Sequence, residues 1–161
     1  MTKEDFEFDR ADFADFLERR DLAAENAKRD LWNIFGCWVR LSEDKLGGRV
    51  KIFLGEVGER VTGNVLGRSF HIDVGVQACE TCSMLEVVLS TPSLAGGHLA
   101  EIDRFLIAPS GEIFSSDNET VFSCAEPSYI YDEFDLSDSD TRSYDILIAV
   151  LRKVIKAPLI F

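Results

Sequence analysis

The sequence predicts an α+β fold, in which helices pack on one face of an antiparallel sheet of about five or six strands. Apolar residues recur with helical spacing near both ends of the chain, whereas they alternate with polar residues through its middle. The chain has 161 residues, which is long enough to bury a sizeable core without staples. We therefore expect N-terminal helices, a central sheet and a C-terminal helix to form one domain over residues 1–161.

Two helices are predicted at the N-terminal end. The first covers residues 9–18, where Phe13, Phe16 and Leu17 form an apolar side between acidic residues. The second covers residues 21–41, and Gly36 inside it lowers helix propensity and is compatible with close packing. The apolar stripe of the second helix consists of Leu31, Ile34, Phe35, Trp38 and Leu41.

From residue 49 the apolar period changes from about 3.6 to 2, which predicts strands. The clearest strand covers residues 70–77, where Phe70 and Ile72 alternate with His71 and Asp73. A Gly-rich connection before it has room for a short strand at residues 60–62. The remaining predicted strands cover residues 49–54, 83–90, 99–108, 112–115 and 120–124.

A C-terminal helix is predicted between residue 137 and Pro158. Ser137, Asp138 or Ser139 supplies its N-cap, and acids in the first turn with bases in the last suit the helix macrodipole. Pro158 cannot continue the helix, so it should end near Ala157. The predicted apolar stripe consists of Tyr144, Leu147, Ile148, Leu151 and Ile155, at spacings of three and four residues.

The net charge of −12 is unevenly distributed. Residues 1–18 carry seven acids and two bases, and residues 126–145 carry seven acids and one base, whereas residues 19–60 are net basic. Such a charge repels nucleic acid and membrane surfaces and attracts basic proteins, although acidity also serves solubility. We therefore expect a basic protein partner, with no direct binding to nucleic acid or membranes.

The apolar runs, the N-terminal charge and the cysteine count together indicate in which compartment the protein is found. No apolar run approaches the length of a membrane span, and the acidic N-terminus differs from the basic start of a signal peptide. Four cysteines fit a reducing compartment, although an even count also permits disulfides. The sequence thus predicts a cytoplasmic protein.

Cys79 and Cys82 form the one local motif with a known chemical use. Two thiols separated by two residues can bind one zinc ion or form a redox disulfide. A structural zinc site needs four ligands and no second pair follows, so two small thiols in a turn are the simpler interpretation. We expect no cofactor and no metal. The alternative is a small thiol- or zinc-dependent enzyme that uses Cys79, Cys82 and a histidine.

The two histidines offer little for catalysis. His71 and Asp73 share one face of a predicted strand, so a Cys-His-Asp set with Cys79 is conceivable. A solvent-facing polar row explains the same two residues. His98 follows two glycines and is expected in a loop. The sequence therefore assigns no catalytic residue.

The segment before the C-terminal helix combines aromatic and acidic side chains. Aromatic residues are favoured at interface hot spots, while carboxylates steer a cationic partner and can stand where nucleic-acid phosphates would bind. A solvated loop with its aromatic rings in the core accounts for the same composition. The predicted partner-binding residues are Tyr129, Tyr131, Asp132, Glu133, Phe134, Asp135, Asp138 and Asp140.

Composition and charge together predict an acidic, non-enzymatic binding protein that inhibits a basic partner acting on nucleic acid. Immunity proteins of nuclease toxins, other antitoxins and phage anti-defence inhibitors belong to this class. Composition alone links the chain to them.

Overall fold

A long helix, a seven-stranded antiparallel sheet and a second helix follow one another along the chain. The structure, a computed structural model, describes residues 1–7, 9–78, 83–108, 111–117, 119–122 and 138–159. The helices are α1 (Arg10–Asp44) and α2 (Asp138–Lys156), with a 3-10 turn at Lys3–Phe6. The strands are β1 (Val50–Phe53), β2 (Val61–Val65), β3 (Arg68–Ala78), β4 (Ser83–Pro92), β5 (Leu99–Ile107), β6 (Ile113–Ser115) and β7 (Thr120–Phe122).

The α+β fold class is confirmed, and the sheet has seven strands rather than five or six. The difference lies at β2, a full strand that pairs with both β1 and β3 although it contains Gly63 and Asn64, two residue types that are depleted in strands. Gly63 sits directly opposite Phe70, and a Cβ at Gly63 would lie 2.2 Å from Phe70 Cζ. The Phe70 ring covers the glycine and supplies the packing that Gly63 lacks.

Each strand pairs with its neighbours in the chain, in the order β1 to β7. A two-residue turn joins β2 to β3, and both of its residues have positive φ, 53° at Leu66 and 79° at Gly67. Two positive φ angles are what a type I′ hairpin turn requires. This turn fixes the register in which Val65 faces Arg68.

Both helices pack on the same face of the sheet, as predicted. Val61, Phe70 and Ile72 on that face are fully buried in the same core as Trp38 of α1 and Leu147 of α2. Trp38 Nε1 donates a hydrogen bond of 2.8 Å to the Ser143 carbonyl oxygen, which ties α1 to α2. The opposite face, which we call the open face, carries the alternate side chains of each strand.

The N-terminal helical region is one continuous helix, so the prediction of two helices was wrong. Asp9 caps α1, because its carboxylate accepts hydrogen bonds from the backbone N–H groups of Ala11 and Asp12 at 2.8 and 3.1 Å. No Gly or Pro interrupts the chain between residues 18 and 21. Arg19 Nε instead donates to the Asp15 carbonyl oxygen at 3.2 Å, one turn earlier.

The buried stripe of α2 differs in part from the predicted one. Leu147 and Leu151 are buried as expected, but Ile148 is 36% exposed and Ile155 is 43% exposed. The observed stripe is rotated because α2 packs against both the sheet and α1, and it consists of Ile146, Leu147, Val150, Leu151 and Val154. The helix ends at Lys156, in agreement with the prediction from Pro158.

Candidate functional site

Helix α1 has two halves with different environments. In residues 24–42 the helix contributes eight buried side chains to the domain, from Ala24 to Ser42. In residues 10–23 no side chain is buried, over a length of about 21 Å. We call these parts the covered half and the exposed half of α1.

The apolar stripe of the covered half continues without a break into the exposed half. Leu17, Ala24, Leu31 and Trp38 follow one another at seven-residue intervals, which keeps them on one side of a helix. Trp38 is 0% exposed and Ala24 is 6% exposed, whereas Leu17 is 50% exposed. The exposed half thus presents a core-like stripe that the described part of the domain leaves open to solvent.

Aromatic side chains enlarge this stripe. The rings of Phe13 and Phe16 stack with their centroids 6.2 Å apart, and the Arg20 guanidinium lies 5.2 Å from the centre of the Phe16 ring. Phe13 remains 49% exposed, and Phe6 in the preceding turn is 68% exposed. Phe13, Phe16 and Leu17 have the i, i+3, i+4 spacing by which an amphipathic helix anchors in an apolar groove.

Carboxylates border the stripe on its sides and back. Asp12 precedes Phe13 and Glu18 follows Leu17, so each lies about 100° around the helix from the stripe and on opposite sides of it. Asp15 stands two residues from both Phe13 and Leu17 and therefore faces away from them. Within the described ranges, none of these three carboxylates forms an ion pair. The exposed half is therefore apolar in the centre and acidic around it.

The predicted partner-binding residues fall mostly outside the described residues. This applies to six of them, namely Tyr129, Tyr131, Asp132, Glu133, Phe134 and Asp135. Asp138 is the first residue of α2. Asp140 accepts a hydrogen bond of 2.7 Å from Arg40 of α1, and its side chain is 19% exposed. This ion pair joins the two helices, and partner binding by the eight residues stays a prediction.

The thiol and histidine residues are not assembled into a catalytic group in the part of the chain that the structure describes. Cys79 and Cys82 lie outside it, and Cys37 is a half-buried thiol in α1. Asp73 shares the open face with His71 as predicted, but its carboxylate accepts bonds of 2.7 and 3.0 Å from Arg60. Among the described residues, no group of three potential ligands could hold a metal ion.

The environment of His71 disfavours its charged form. Burial is the main cause that lowers the pKa of its imidazole, and the positive charge of Arg60 lowers that pKa further, while Asp73 acts in the opposite direction. His98 lies in the connection between β4 and β5, where its backbone carbonyl oxygen accepts a hydrogen bond of 2.8 Å from the Ser93 N–H. The surroundings of His71 therefore favour its neutral imidazole.

Two concave surfaces lie on opposite faces of the sheet. A groove of about 390 Å³ runs between α2 and β5–β7, with Phe105 and Ile113 on one wall and the Lys153–Asp103 ion pair of 3.0 Å at its edge. A cavity of about 570 Å³ lies on the open face across β1, β2 and β3. Both linings are mainly apolar, and the charged residues that line the cavity on the open face, Arg49 and Lys51, are both basic.

Comparison with known proteins identifies no relative for this arrangement. No protein-family model, no curated protein and no solved structure matches the chain. Neither α1 nor α2 is apolar over a stretch that could cross a membrane, and the same holds for every helix in the described ranges.

Proposed function

We propose that this protein is an acidic, non-enzymatic binding protein that docks on a basic, nucleic-acid-acting partner and inhibits it. The observation that carries the proposal is the exposed half of α1, where the described residues neither cover the stripe of the core nor form ion pairs with the carboxylates beside it. Immunity proteins of nuclease toxins and phage anti-defence inhibitors act in this general way. The partner surface that fits is an apolar groove with lysine or arginine residues on its rim.

The apolar stripe supplies affinity in this proposal. Burying the exposed part of Phe13, Phe16 and Leu17 in a groove removes apolar surface from water, which is the main favourable contribution to association. The helix exists before binding, because Asp9 caps it and the covered half anchors it. A preformed helix loses little conformational entropy when it docks, which favours tight binding.

The carboxylates supply selectivity and speed. Residues 1–18 have seven acids and two bases, and the whole chain has a net charge of −12. A protein that acts on nucleic acid presents a basic surface, because it must neutralise phosphate groups. Opposite charges on the two surfaces accelerate encounter and disfavour other acidic proteins. An occupied basic groove is closed to nucleic acid, which explains inhibition.

Two triple variants that remove equal charge test where docking occurs. The first replaces Asp12, Asp15 and Glu18 by Asn, Asn and Gln, and the second replaces Asp132, Glu133 and Asp135 by Asn, Gln and Asn. A basic protein that co-purifies from the source cells is isolated, and its nucleic-acid binding or cleavage is measured with and without the chain. Association rates are then measured against ionic strength for both variants, with circular dichroism to confirm folding.

We expect the wild-type chain, at an amount equimolar to the partner, to block the partner's nucleic-acid binding or cleavage. We also expect the first triple variant to associate more slowly, with a weaker dependence on salt. If only the second variant is slowed, docking occurs at the predicted segment before α2 and the assignment to α1 is wrong. If the partner keeps its full activity in the complex, inhibition is contradicted whatever the rates show.

A further inference from the structure

The cavity on the open face is built by side chains that point away from both helices. Strand side chains alternate between faces, so Lys51 and Phe53 of β1 stand beside Thr62 and Asn64 of β2. Ser69 and His71 of β3 complete the floor, in register with Asn64 and Thr62 respectively. These six residues line a concave surface of about 570 Å³, with Arg49 and Pro92 at its margin.

The charge of this cavity is opposite to that of the protein. Its lining contains no Asp or Glu, while Arg49 and Lys51 are both present and form no ion pair within the described residues. Asp73, two residues after His71 on the same face, is neutralised by Arg60. Glu86 and Glu101 on β4 and β5 both bind Arg104, each at 2.7 Å. Arg49 and Lys51 therefore give this cavity a positive charge, although the protein as a whole has a net charge of −12.

Two buried polar atoms next to the cavity have no hydrogen-bond partner among the described residues. They are His71 Nδ1 and Ser90 Oγ, on residues that face each other across β3 and β4. Buried polar groups are nearly always hydrogen-bonded, because an unmade bond is costly once water is excluded. Of the two residues, only His71 lines the cavity. Its surroundings favour the neutral imidazole, so His71 can donate or accept.

Apolar surface is present beside the cations. Phe53, at the end of the edge strand β1, is 61% exposed, and Pro92 borders the other side. An exposed aromatic ring can stack on another planar ring, and a neighbouring cation can bind a carboxylate or phosphate group on that ring. The lining thus offers charge neutralisation, stacking and hydrogen bonding within one concave surface.

We propose that this cavity binds a small aromatic anion, a planar ring that carries a phosphate or carboxylate group. The anionic group lies between Arg49 and Lys51, the ring stacks on Phe53, and a polar edge of the ring meets Asn64 and His71. A long polyanion is disfavoured, because the acidic surface elsewhere repels it beyond the cavity. This site is independent of the docking surface on α1, since it lies on the open face of the sheet.

Binding of adenosine monophosphate (AMP) to the purified chain tests the proposal by calorimetry and by amide chemical-shift changes. Three comparison probes are used. Adenosine has the ring without the anionic group, inorganic phosphate has the anionic group without the ring, and benzoate carries a carboxylate in place of the phosphate. The variants are Lys51→Gln, Phe53→Ala and, as a matched control, Lys156→Gln, which removes an exposed lysine of α2 outside the cavity. Circular dichroism verifies that each variant folds.

The proposal expects AMP or benzoate to bind more tightly than adenosine or phosphate, with shifts confined to β1–β3. Lys51→Gln should weaken binding about tenfold, since it removes one charge-assisted contact, while Lys156→Gln should leave it unchanged. Phe53→Ala should weaken the binding of AMP and benzoate and leave the binding of inorganic phosphate unchanged. Equal affinities for the Lys51 and Lys156 variants, or no binding of either aromatic anion, would overturn the proposal.

Discussion

The two halves of α1 share one sequence pattern and differ in what surrounds them. In the covered half, Leu31 and Trp38 pack against the sheet and α2 and are 3% and 0% exposed. In the exposed half, Leu17 occupies the same seven-residue series and is 50% exposed. The described residues therefore cover the same apolar stripe over only part of the helix. In our proposal, a partner covers the remainder.

The largest effect on stability is expected when a leucine is truncated in the covered half and not in the exposed half. Leu41→Ala, at a position that is 0% exposed, should lower the free energy of unfolding by about 2–5 kcal/mol, because it leaves a cavity in the core. Leu17→Ala should change it by less than about 0.5 kcal/mol, because a half-exposed side chain loses little burial. Urea denaturation of both variants checks this. Comparable losses would mean that the stripe is covered along its whole length.

A smaller effect is expected where the covered half meets α2. Trp38→Phe keeps an aromatic ring but removes the donor that bonds to the Ser143 carbonyl oxygen at 2.8 Å. The loss of that buried hydrogen bond and of part of the ring should cost about 1–3 kcal/mol. The measurement is urea denaturation, with Trp32→Phe as control, because Trp32 Nε1 has no hydrogen-bond partner in the part of the chain that the structure describes. An equal cost for the control would show that volume alone matters.

A gain in stability is expected on the outer side of the covered half. Gly36 is exposed, and a Cβ built there meets no atom within 4 Å outside its own helix. Gly36→Ala should therefore stabilise the protein by up to about 1 kcal/mol and raise Tm by about 2–4 °C, because alanine has the higher helix propensity. Thermal unfolding followed by circular dichroism measures this. A lower Tm would restore the interpretation of Gly36 as a close-packing site.

Local sequence patterns predicted much of the fold. Alternation separated Phe70 and Ile72 from His71 and Asp73 on β3, and both apolar residues are fully buried. The prediction missed the extent of β2, because the Phe70 ring that covers Gly63 comes from another strand. It also split α1 at Arg19 and Arg20, where no backbone signal ends a helix. The error at β2 arises from a contact between strands that the sequence of β2 does not show. The error in α1 arises because a helix ends only where a local signal stops it, and residues 19 and 20 carry none.

The candidate sites were less predictable than the fold. Sequence spacing identified Phe13, Phe16 and Leu17 as an apolar helix side, but a stripe carries no information about whether the domain covers it. The cavity on the open face depends on register, which places His71 opposite Ser90 and Lys51 opposite Asn64. Such cross-strand neighbours are distant in sequence, so the periodicity of one strand cannot reveal them.

The most direct test of the docking surface is the dissociation rate of the purified complex with the basic partner. Leu17→Ala is compared with Leu22→Ala, a matched truncation in the same half of α1, since Leu22 is 64% exposed and lies about 200° around the helix from Ala24. We expect Leu17→Ala to raise the dissociation rate about tenfold and Leu22→Ala to leave it unchanged. Equal dissociation rates for the two variants and the wild-type chain would contradict docking through the exposed half of α1.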